Sequence, residues 1–449
     1  MAMSRRSILK SAAVAAPMIV PSSVFGANAP SNRVTIGAIG AGRISRIHDM
    51  KEIHKHADAQ IVAVCDVDTK RLGAGIQLVD SRYAASTGKN YVGTRGYWDF
   101  HELLADKEID AVMISTPDHQ HAPMAVHAVR AKKHVYLQKP ASLTIAEGRK
   151  MADAVKASGM VLQLGSQQRG QDPWPQFHRA CELVRNGRIG KLKHVEVGLP
   201  GDPSGPEAPP MPIPRNLDYD AWLGTTPEQY YTEMRVHPQD SFEDRPGWLR
   251  CEQFGAGMIT GWGAHHIDTA HWGMDMEMSG PVEIWGKAEF PKSGLWDVHG
   301  PFETHARYAN GVTMTVSGAF ETGVKFIGDK GWLFVTRMGQ VSASDPSKPA
   351  DIPLKASDPK ILDSVIGPDE VHLYKAPEQH RNWLDAILKG VPVSAPAEVG
   401  HRACSTCLLH WIAMKTGRRL KWDPEAERFI GDDEANAMLS RPQRARYAI

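Results

Sequence analysis

A glycine-rich turn is the first feature of the chain that suggests chemistry. The β-branched run at 33–39 leads directly into Gly40-Ala41-Gly42-Arg43-Ile44-Ser45, and a polar helix is expected to follow. The first glycine permits a tight turn, the second lets the backbone approach a pyrophosphate, and a helix N-terminus offers unpaired N–H groups to the negative charge. Ser45 occupies the usual place of a third glycine. The pattern favours a dinucleotide-binding turn.

An acidic residue after the next predicted strand supports this interpretation. The strand at 60–65 ends at Asp66, where a carboxylate can accept both ribose hydroxyls of NAD. A helix N-cap aspartate is compatible with the same place. Asp66 would repel a 2′-phosphate, although Lys70 and Arg71 could accept one. The sequence therefore favours NAD over NADP.

Two further strands are predicted at 109–115 and 134–137, each followed by polar residues. The first ends at Thr116-Pro117-Asp118-His119-Gln120-His121 and the second at Gln138-Lys139-Pro140. Ligands of doubly wound sheets bind beyond the carboxyl ends of the strands. We therefore expect these segments to converge with Gly40 and Asp66 on one crevice, with Lys139 beside the nicotinamide.

Bulk properties exclude several classes of function. The 52 basic and 51 acidic residues give a formal net charge of +1, so no long-range field would gather nucleic acid. No internal apolar run is long enough to span a bilayer. The five cysteines lack the two-pair spacing of a zinc site, and Cys404 and Cys407 lie in a predicted helix at 403–415 as buried small side chains. Histidines at 119, 121, 265, 266 and 271 do not form a typical zinc pattern, so no metal is expected.

The N-terminus has the pattern of a twin-arginine export signal. Arg5 and Arg6 precede a modest apolar run at 12–20, and Ala27-Asn28-Ala29 provides a small-residue cleavage site. A basic start to a cytosolic protein is the alternative. Residues 1–29 are predicted to be removed, which places the mature protein in the periplasm or outside the cell. Because this route carries folded proteins, the signal also predicts a tightly bound cofactor and the twin-arginine machinery as a partner.

Taken together, these segments resemble the Gfo/Idh/MocA family, named for glucose-fructose oxidoreductase and inositol dehydrogenase. The matching motifs are G-A-G-R-I-S at 40–45, V-C-D-V-D at 64–68, S-T-P-D-H-Q-H at 115–121, V-Y-L-Q-K-P at 135–140 and G-A-H-H-I-D at 263–268. The resemblance implies an α/β Rossmann domain at 32–158, then an α+β domain at 159–449 with a large, mostly antiparallel open sheet. It also implies a homodimer or homotetramer.

The C-terminal half agrees with such a sheet. Strands are predicted at 195–198, 282–287, 303–308, 312–319 and 325–327. The proline- and glycine-rich stretch at 200–214 is predicted to be a long loop, and with Trp222, Tyr230 and Tyr231 it could form an active-site rim.

The resemblance also assigns roles to individual residues. It makes Lys139 and His265 the catalytic pair, with histidine as base and lysine stabilising an alkoxide. The candidates for cofactor binding are Gly40, Gly42, Arg43, Ile44, Asp66, Arg71, Thr116, Pro117, His121, Gln138 and Lys139. Those for substrate binding are Arg169, His237 and His266.

Two positions depart from the family pattern. Gln138 replaces the common glutamate of E-K-P, and Gly261 stands where many relatives have an aspartate four residues before the histidine. Lys139 loses one usual partner. The partner of His265 is also absent, and either His266, Asp268 or Glu252 substitutes for it or the protein has a changed reaction or little hydride-transfer activity.

The sequence is compatible with three functions. The first is a nicotinamide-dependent oxidoreductase acting on a hydroxyl of a sugar, glycoside or cyclitol. The second is a glycosidase that works by transient oxidation and elimination. The third is a non-catalytic sugar-binding protein on the same scaffold.

Overall fold

The computed structural model describes residues 33–338 and 351–449. The predicted export signal at 1–29 lies outside the described residues. No helix within the described ranges is both long and apolar enough to cross a membrane.

The first domain is built on a six-stranded parallel sheet in the order β3-β2-β1-β4-β5-β6. The strands are β1 (Val34–Ile39), β2 (Ala59–Cys65), β3 (Arg95–Tyr97), β4 (Ala111–Ile114), β5 (His134–Leu137) and β6 (Leu162–Leu164). Helices cover both faces, which is why β1, β4 and β5 are almost continuously apolar and buried. The order reverses between β1 and β4, and this switch point is where ligands of such sheets bind.

Several helices of this domain begin at a capping side chain. After a π-helical turn at Ser45–Asp49 come α1 (Met50–Ile53), α2 (Thr69–Thr87), α3 (Phe100–Ala105), α4 (Asp118–Arg130) and α5 (Ile145–Ser158). The Asp68 side chain accepts from the N–H groups of Lys70 and Arg71 at the start of α2. Thr144 and Glu147 form a capping box at the start of α5.

The first domain draws on more of the chain than the predicted range 32–158. Strand β6 lies beyond residue 158 and pairs with β5, so the sheet extends past that boundary. Its three residues are too few to show a periodic pattern. Helix α12 (Gln379–Lys389) returns from the C-terminal half, and its Trp383 and Leu384 are fully buried in the first-domain core.

The second domain contains a nine-stranded sheet in the order β13-β12-β11-β7-β10-β9-β8-β14-β15. Its strands are β7 (Leu192–Gly198), β8 (Glu283–Ala288), β9 (Phe302–Arg307), β10 (Thr313–Ser317), β11 (Gly323–Gly328), β12 (Trp332–Val335), β13 (Leu354–Ala356), β14 (Leu420–Asp423) and β15 (Arg428–Phe429). Every pairing is antiparallel except that of β7 with β10. The predicted fold class is confirmed.

Helices cover one face of this sheet. They include α6 (Pro175–Arg185), α10 (Gly263–Met274) and α13 (Ala397–Thr416), with the shorter α7 (Tyr219–Leu223), α8 (Glu233–Val236), α9 (Met258–Gly261), α11 (Pro359–Leu362) and α14 (Asp433–Ala437) around them. Along β9, Phe302, Thr304 and Ala306 face this core while their neighbours are at least partly exposed. Every residue of α10 is buried, as expected for a helix enclosed by the sheet and α13. Cys404 and Cys407 are buried in α13, as predicted.

Candidate active site and dinucleotide cleft

The glycine turn has the geometry that a close approach of backbone requires. Gly40 has φ +87°, and a Cβ there would lie 2.8 Å from the main-chain oxygen of Ser115. Because of this positive φ and this close contact, position 40 does not accept a residue larger than glycine. At Gly42 no atom lies within 4 Å of the place a Cβ would take, so its backbone borders open space. This is the space in which a pyrophosphate could approach the turn.

Asp66 is held at the end of β2 by two main-chain amides. Oδ2 accepts from the N–H of Ala41 and Oδ1 from the N–H of Asp68, each at 2.8 Å. Burial raises the pKa of Asp66, and these two hydrogen bonds oppose the rise. Each carboxylate oxygen keeps a further lone pair for a ligand hydroxyl.

The predicted segments do converge on one cavity at the carboxyl ends of the strands. All the predicted cofactor-binding residues line it, namely Gly40, Gly42, Arg43, Ile44, Asp66, Arg71, Thr116, Pro117, His121, Gln138 and Lys139. His121 helps to shape the wall, because its ring nitrogens lie 2.6 Å from the oxygen of Pro140 and 2.9 Å from that of Thr116. Burial lowers the pKa of His121 to about 4, so the ring is neutral and donates only one of these contacts at a time.

A segment of the second domain forms the other wall of this cavity. Arg71 donates to the main-chain oxygens of Pro238 (3.1 Å) and Ser241 (3.4 Å), and Arg46 donates to that of Phe242 (2.6 Å). Both guanidinium groups lie against the Phe242 ring, 4.9 and 5.0 Å from its centroid. The sequence did not single out this segment. Of the predicted rim, residues 200–214, Tyr230 and Tyr231 contribute nothing to the lining of either cavity, whereas Trp222 lines the first.

His237 belongs to the dinucleotide cavity instead of the predicted substrate site. Its Nε2 lies 2.8 Å from Asp68 Oδ2, and Asn216 donates to the other oxygen of the same carboxylate at 2.9 Å. Asp68 therefore both caps α2 and joins the first domain to two segments of the second. These contacts lower the pKa of Asp68 despite the opposing effect of burial.

Gln138 has a charged partner that the sequence did not reveal. Its Nε2 donates to both oxygens of Asp49, at 2.8 and 3.1 Å. Asp49 is fully buried and also accepts from Ser115 Oγ (2.7 Å), with His48 Nδ1 at 3.0 Å and His380 Nε2 at 3.3 Å. The carboxylate missing at position 138 is thus present one side chain away.

His380 and Glu378 complete this buried network. His380 Nδ1 lies 2.7 Å from Glu378 Oε1. Although burial opposes it, bonding to Asp49 and Glu378 raises the pKa of His380 to about 9, so the ring is an imidazolium at neutral pH. His48, Asp49 and His380 are the group of side chains with metal-like spacing within the described ranges. Because His380 also pairs with Glu378, we interpret the group as an ion-pair network.

A second cavity adjoins the first at Lys139. The two share Gln138 and Lys139, and the second is also lined by Trp174, Trp262 and His265. Lys139 Nζ donates to the main-chain oxygen of Gly261 at 3.0 Å. The structure therefore brings both predicted catalytic residues to one cavity, next to the position at which relatives have an aspartate.

Arg337, which the sequence did not single out, lies beside His265. Its Nη2 is 3.3 Å from His265 Nδ1, and its guanidinium lies 3.8 Å from the ring centroid of Trp174 and 5.1 Å from that of Trp262. Burial lowers the pKa of His265 well below its usual value, and the charges of Arg337 and Lys139 lower it further. His265 is therefore neutral in the absence of a ligand.

Asp118 is a further titratable group near the reacting end of the cleft. It lines the first cavity, and Oδ2 has no hydrogen-bond partner among the described residues. Burial raises its pKa to about 7, and the charge of Lys139 opposes that rise. Asp118 begins α4 within the T-P-D-H segment, so the predicted strand before it already indicated its position. The sequence did not single it out as a titratable group of the cleft.

Arg169 and His266 are not brought into the cleft. Arg169 forms a buried pair with Asp268 (2.7 and 2.8 Å) and also donates to Glu277 at 2.6 Å. His266 Nδ1 lies 2.9 Å from the main-chain oxygen of Gly198. Both side chains connect elements of the second domain, and neither lines a described cavity. Asp268 is paired with Arg169 and therefore does not replace the missing partner of His265. Glu252, which pairs with Lys415, does not replace it either.

The residues present fit a nicotinamide dinucleotide. The open backbone at Gly42, the oriented Asp66 carboxylate and the apolar walls match the parts of such a ligand. Thr116 Oγ1 and Arg71 Nη1, on residues that line the cavity, are buried and have no hydrogen-bond partner in the described part of the chain. Buried polar groups normally have partners, so these atoms are consistent with a polar ligand in the cleft.

Fold and cleft together define a protein with a Rossmann dinucleotide domain followed by a domain on a mostly antiparallel sheet. Residues 34–166 match the family model described as "Oxidoreductase family, NAD-binding Rossmann fold", and residues 204–346 and 367–449 match "Oxidoreductase family, C-terminal alpha/beta domain". The chain belongs to the Gfo/Idh/MocA family.

Known relatives include inositol dehydrogenases and a glycosidase family. The chain is 33% identical over 172 residues to myo-inositol 2-dehydrogenase of Thermotoga maritima, covering 38% of this chain and 46% of that protein. It is 25% identical over 311 residues to inositol 2-dehydrogenase of Rubrobacter xylanophilus, covering 68% and 72%. It is 31% identical over 208 residues to a glycosyl hydrolase family 109 protein of Stenotrophomonas maltophilia, covering 45% and 44%. The first curated relatives are matched over about half of their length.

Solved structures share the fold over most of the chain. GenD2 from gentamicin A biosynthesis, in complex with NAD, has a TM-score of 0.57 at 20% identity and covers 87% of this chain and 97% of its own. The WlbA dehydrogenase from Bordetella pertussis, in complex with NADH and UDP-GlcNAcA, has a TM-score of 0.59 at 17% identity, with 87% and 99% covered.

Proposed function

We propose that this protein is an NAD-dependent oxidoreductase that acts on a hydroxyl of a sugar, glycoside or cyclitol. The observation that carries the proposal is the junction of the two cavities at Lys139, with His265 lining the second cavity. Relatives named as inositol dehydrogenases support the substrate class. When bound, the nicotinamide would supply hydride transfer.

The chain's own residues would position the substrate and move its proton. Lys139 is a cation that can stabilise an alkoxide at the reacting oxygen, and His265 is neutral and can accept a proton. Asp66 would bind the ribose hydroxyls of NAD and disfavour the 2′-phosphate of NADP. Gln138, fixed by Asp49, would orient the segment that carries Lys139.

The test begins with the purified protein and no added cofactor. Denaturation should release a dinucleotide whose mass and absorbance identify it as NAD or NADH. Sugars, cyclitols and aryl glycosides are then screened for a change in nicotinamide absorbance near 340 nm, with NAD added in a parallel series. The proposal is rejected if the protein neither contains nor binds NAD, or if no polyol in the screen changes its redox state.

A glycosidase that regenerates its cofactor is the second candidate, and the match to the glycosyl hydrolase family 109 protein favours it. Oxidation at sugar C3 would acidify the C2 proton, elimination would expel the aglycone, and addition of water and reduction would restore the sugar and NAD. Release of nitrophenol from a nitrophenyl glycoside, without net consumption of NAD, would distinguish this reaction from simple dehydrogenation.

We also propose export of the folded protein by the twin-arginine route. Its support is the sequence pattern at Arg5, Arg6 and Ala27-Asn28-Ala29. Replacing both arginines by lysine should leave unprocessed precursor in the cytoplasm, detected by immunoblotting of cell fractions. Normal processing and export of that variant would contradict this route.

A further inference from the structure

The Arg337 guanidinium group in the second cavity has no acidic partner among the residues that the structure describes. Arg337 forms no ion pair with any described carboxylate, although it is half-buried against two tryptophan rings. Its other polar neighbour is Gln168, whose amide oxygen, in the orientation that satisfies both sides, accepts from Nε at 3.2 Å. Burial without a counter-ion lowers the pKa of Arg337 to about 9. Arg337 is half-buried, and guanidinium groups that are largely removed from water are usually paired with an acid, so this one calls for an explanation.

Arg169 is a guanidinium with a structural role in the same fold, and its partners can be compared with those of Arg337. It is 3% exposed, lies 5.0 Å from the Trp272 ring centroid, and is paired with Asp268 and Glu277. Arg337 has a similar aromatic setting but lines a cavity and has no such acids. The acidic residues that line this cavity are Glu243 and Asp244, and Glu243 pairs with Arg46 at 3.6 Å.

We propose that Arg337 recognises a carboxylate on the substrate, so that the substrate is a sugar acid of the uronate or aldonate class. The inference rests on the proposed function, because it assigns the substrate of that same site. A planar guanidinium suits a carboxylate because it can donate two parallel hydrogen bonds. Trp174 and Trp262 confine the group to this place, and Lys139 and Arg245 add positive charge to the same cavity.

Because Arg337 also contacts His265, a substrate carboxylate bound to Arg337 would affect His265 as well. A guanidinium can only donate, so His265 Nδ1 accepts from Arg337 and the neutral ring carries its proton on Nε2. A carboxylate is a stronger acceptor than an imidazole nitrogen. Pairing of Arg337 with the substrate would therefore release the Nδ1 lone pair, and the base would become available when the correct substrate is bound.

The experiment compares acids with neutral sugars of the same shape. Glucuronate, galacturonate, mannuronate and gluconate are titrated into the nucleotide-bound protein by isothermal titration calorimetry, alongside glucuronamide and glucose. At least one acid should bind about 10- to 100-fold more tightly than its neutral counterpart. In Arg337→Met that preference should vanish while binding of the neutral compound changes less than about threefold, and Arg337→Lys should retain part of it.

Arg419→Met is the matched control. The Arg419 guanidinium also stacks on a tryptophan, 3.7 Å from the Trp285 centroid, but it pairs with Glu283 and lies outside both cavities. It should bind acids like the wild type. Nucleotide content and circular dichroism show whether each variant is folded. The proposal is overturned if every acid binds no better than the neutral compounds, or if Arg337→Met retains the preference. Because binding is measured without turnover, this outcome is distinct from a failure of the redox screen.

Discussion

The contact between Gln138 and Asp49 predicts that the family's common glutamate is incompatible with this protein. In Gln138→Glu, a carboxylate oxygen would replace the amide nitrogen that lies 2.8 Å and 3.1 Å from the two oxygens of Asp49. Two negative charges about 3 Å apart repel each other by about 5 kcal/mol at an effective dielectric constant of about 20. The nearby Glu378 offsets the positive charge of His380, so the network does not neutralise the addition.

The new glutamate would take up a proton instead of bearing the full repulsion. Holding a group with an unfolded pKa of about 4.3 protonated at pH 7 costs about 3.7 kcal/mol. Its folded pKa is raised, so the loss of stability is present at high pH and disappears as the pH falls through about 4.3. We expect the variant to lose about 3–4 kcal/mol at pH 7 and about 1 kcal/mol at pH 5.

Urea unfolding measures this loss, with fluorescence of the buried Trp383 as one reporter of the first domain. Asp49→Asn is the compensating change, because it removes the opposing charge while keeping the size of the side chain. The double variant should regain at least half of the lost stability at pH 7. Equal stability of Gln138→Glu and wild type, or a difference that stays constant from pH 5 to 8, would refute the reasoning.

Three further predictions concern catalysis and cofactor choice. Lys139→Ala and His265→Ala should each lower turnover of an active substrate by about a hundredfold or more in a nicotinamide absorbance assay, with nucleotide content unchanged; wild-type rates in both would move the chemistry elsewhere. Gly261→Asp should fold normally in thermal denaturation, because the nearest atoms to a Cβ there are Met258 and Leu249 carbons at 3.6–3.7 Å, and it should raise the pKa of His265 in an NMR titration; an unfolded variant or an unchanged pKa would contradict this. Wild-type protein should bind NAD(H) more tightly than NADP(H), and Asp66→Ser should reduce the preference; tighter binding of NADP(H) by the wild type would remove Asp66 from that role.

The dinucleotide cleft could be predicted because each of its parts comes directly after a strand in the sequence. Each strand is directly followed in sequence by the residues that it presents, so the turn at Gly40, the acid at Asp66 and the segments at Thr116 and Gln138 meet wherever a parallel sheet forms. The strands themselves are buried on both faces and therefore stand out as apolar runs. Only the short strands β3 and β6, with three residues each, were not predicted, because so few residues show no periodicity.

The partners of these residues could not be predicted because they come from distant parts of the chain. Asp49 reaches Gln138 from the turn after the glycine motif, and Phe242 reaches Arg46 and Arg71 from the second domain. Arg337 follows β12 in no recognisable motif. Such contacts depend on how loops pack, and loop packing leaves no periodic signal in the sequence.

These contacts offer a physical reason for Gly261 at the position where many relatives have an aspartate. An aspartate there would add a fixed negative charge near His265 and Lys139, which would favour a protonated histidine. In this protein burial lowers the pKa of His265, and the charges of Arg337 and Lys139 lower it further, so His265 is neutral before substrate binds. If the substrate brings its own carboxylate to Arg337, it supplies the missing negative charge, and the pKa of His265 rises only in the complex. A substrate of this kind would make a permanent aspartate unnecessary, because the charge that prepares the base would arrive with the molecule to be oxidised.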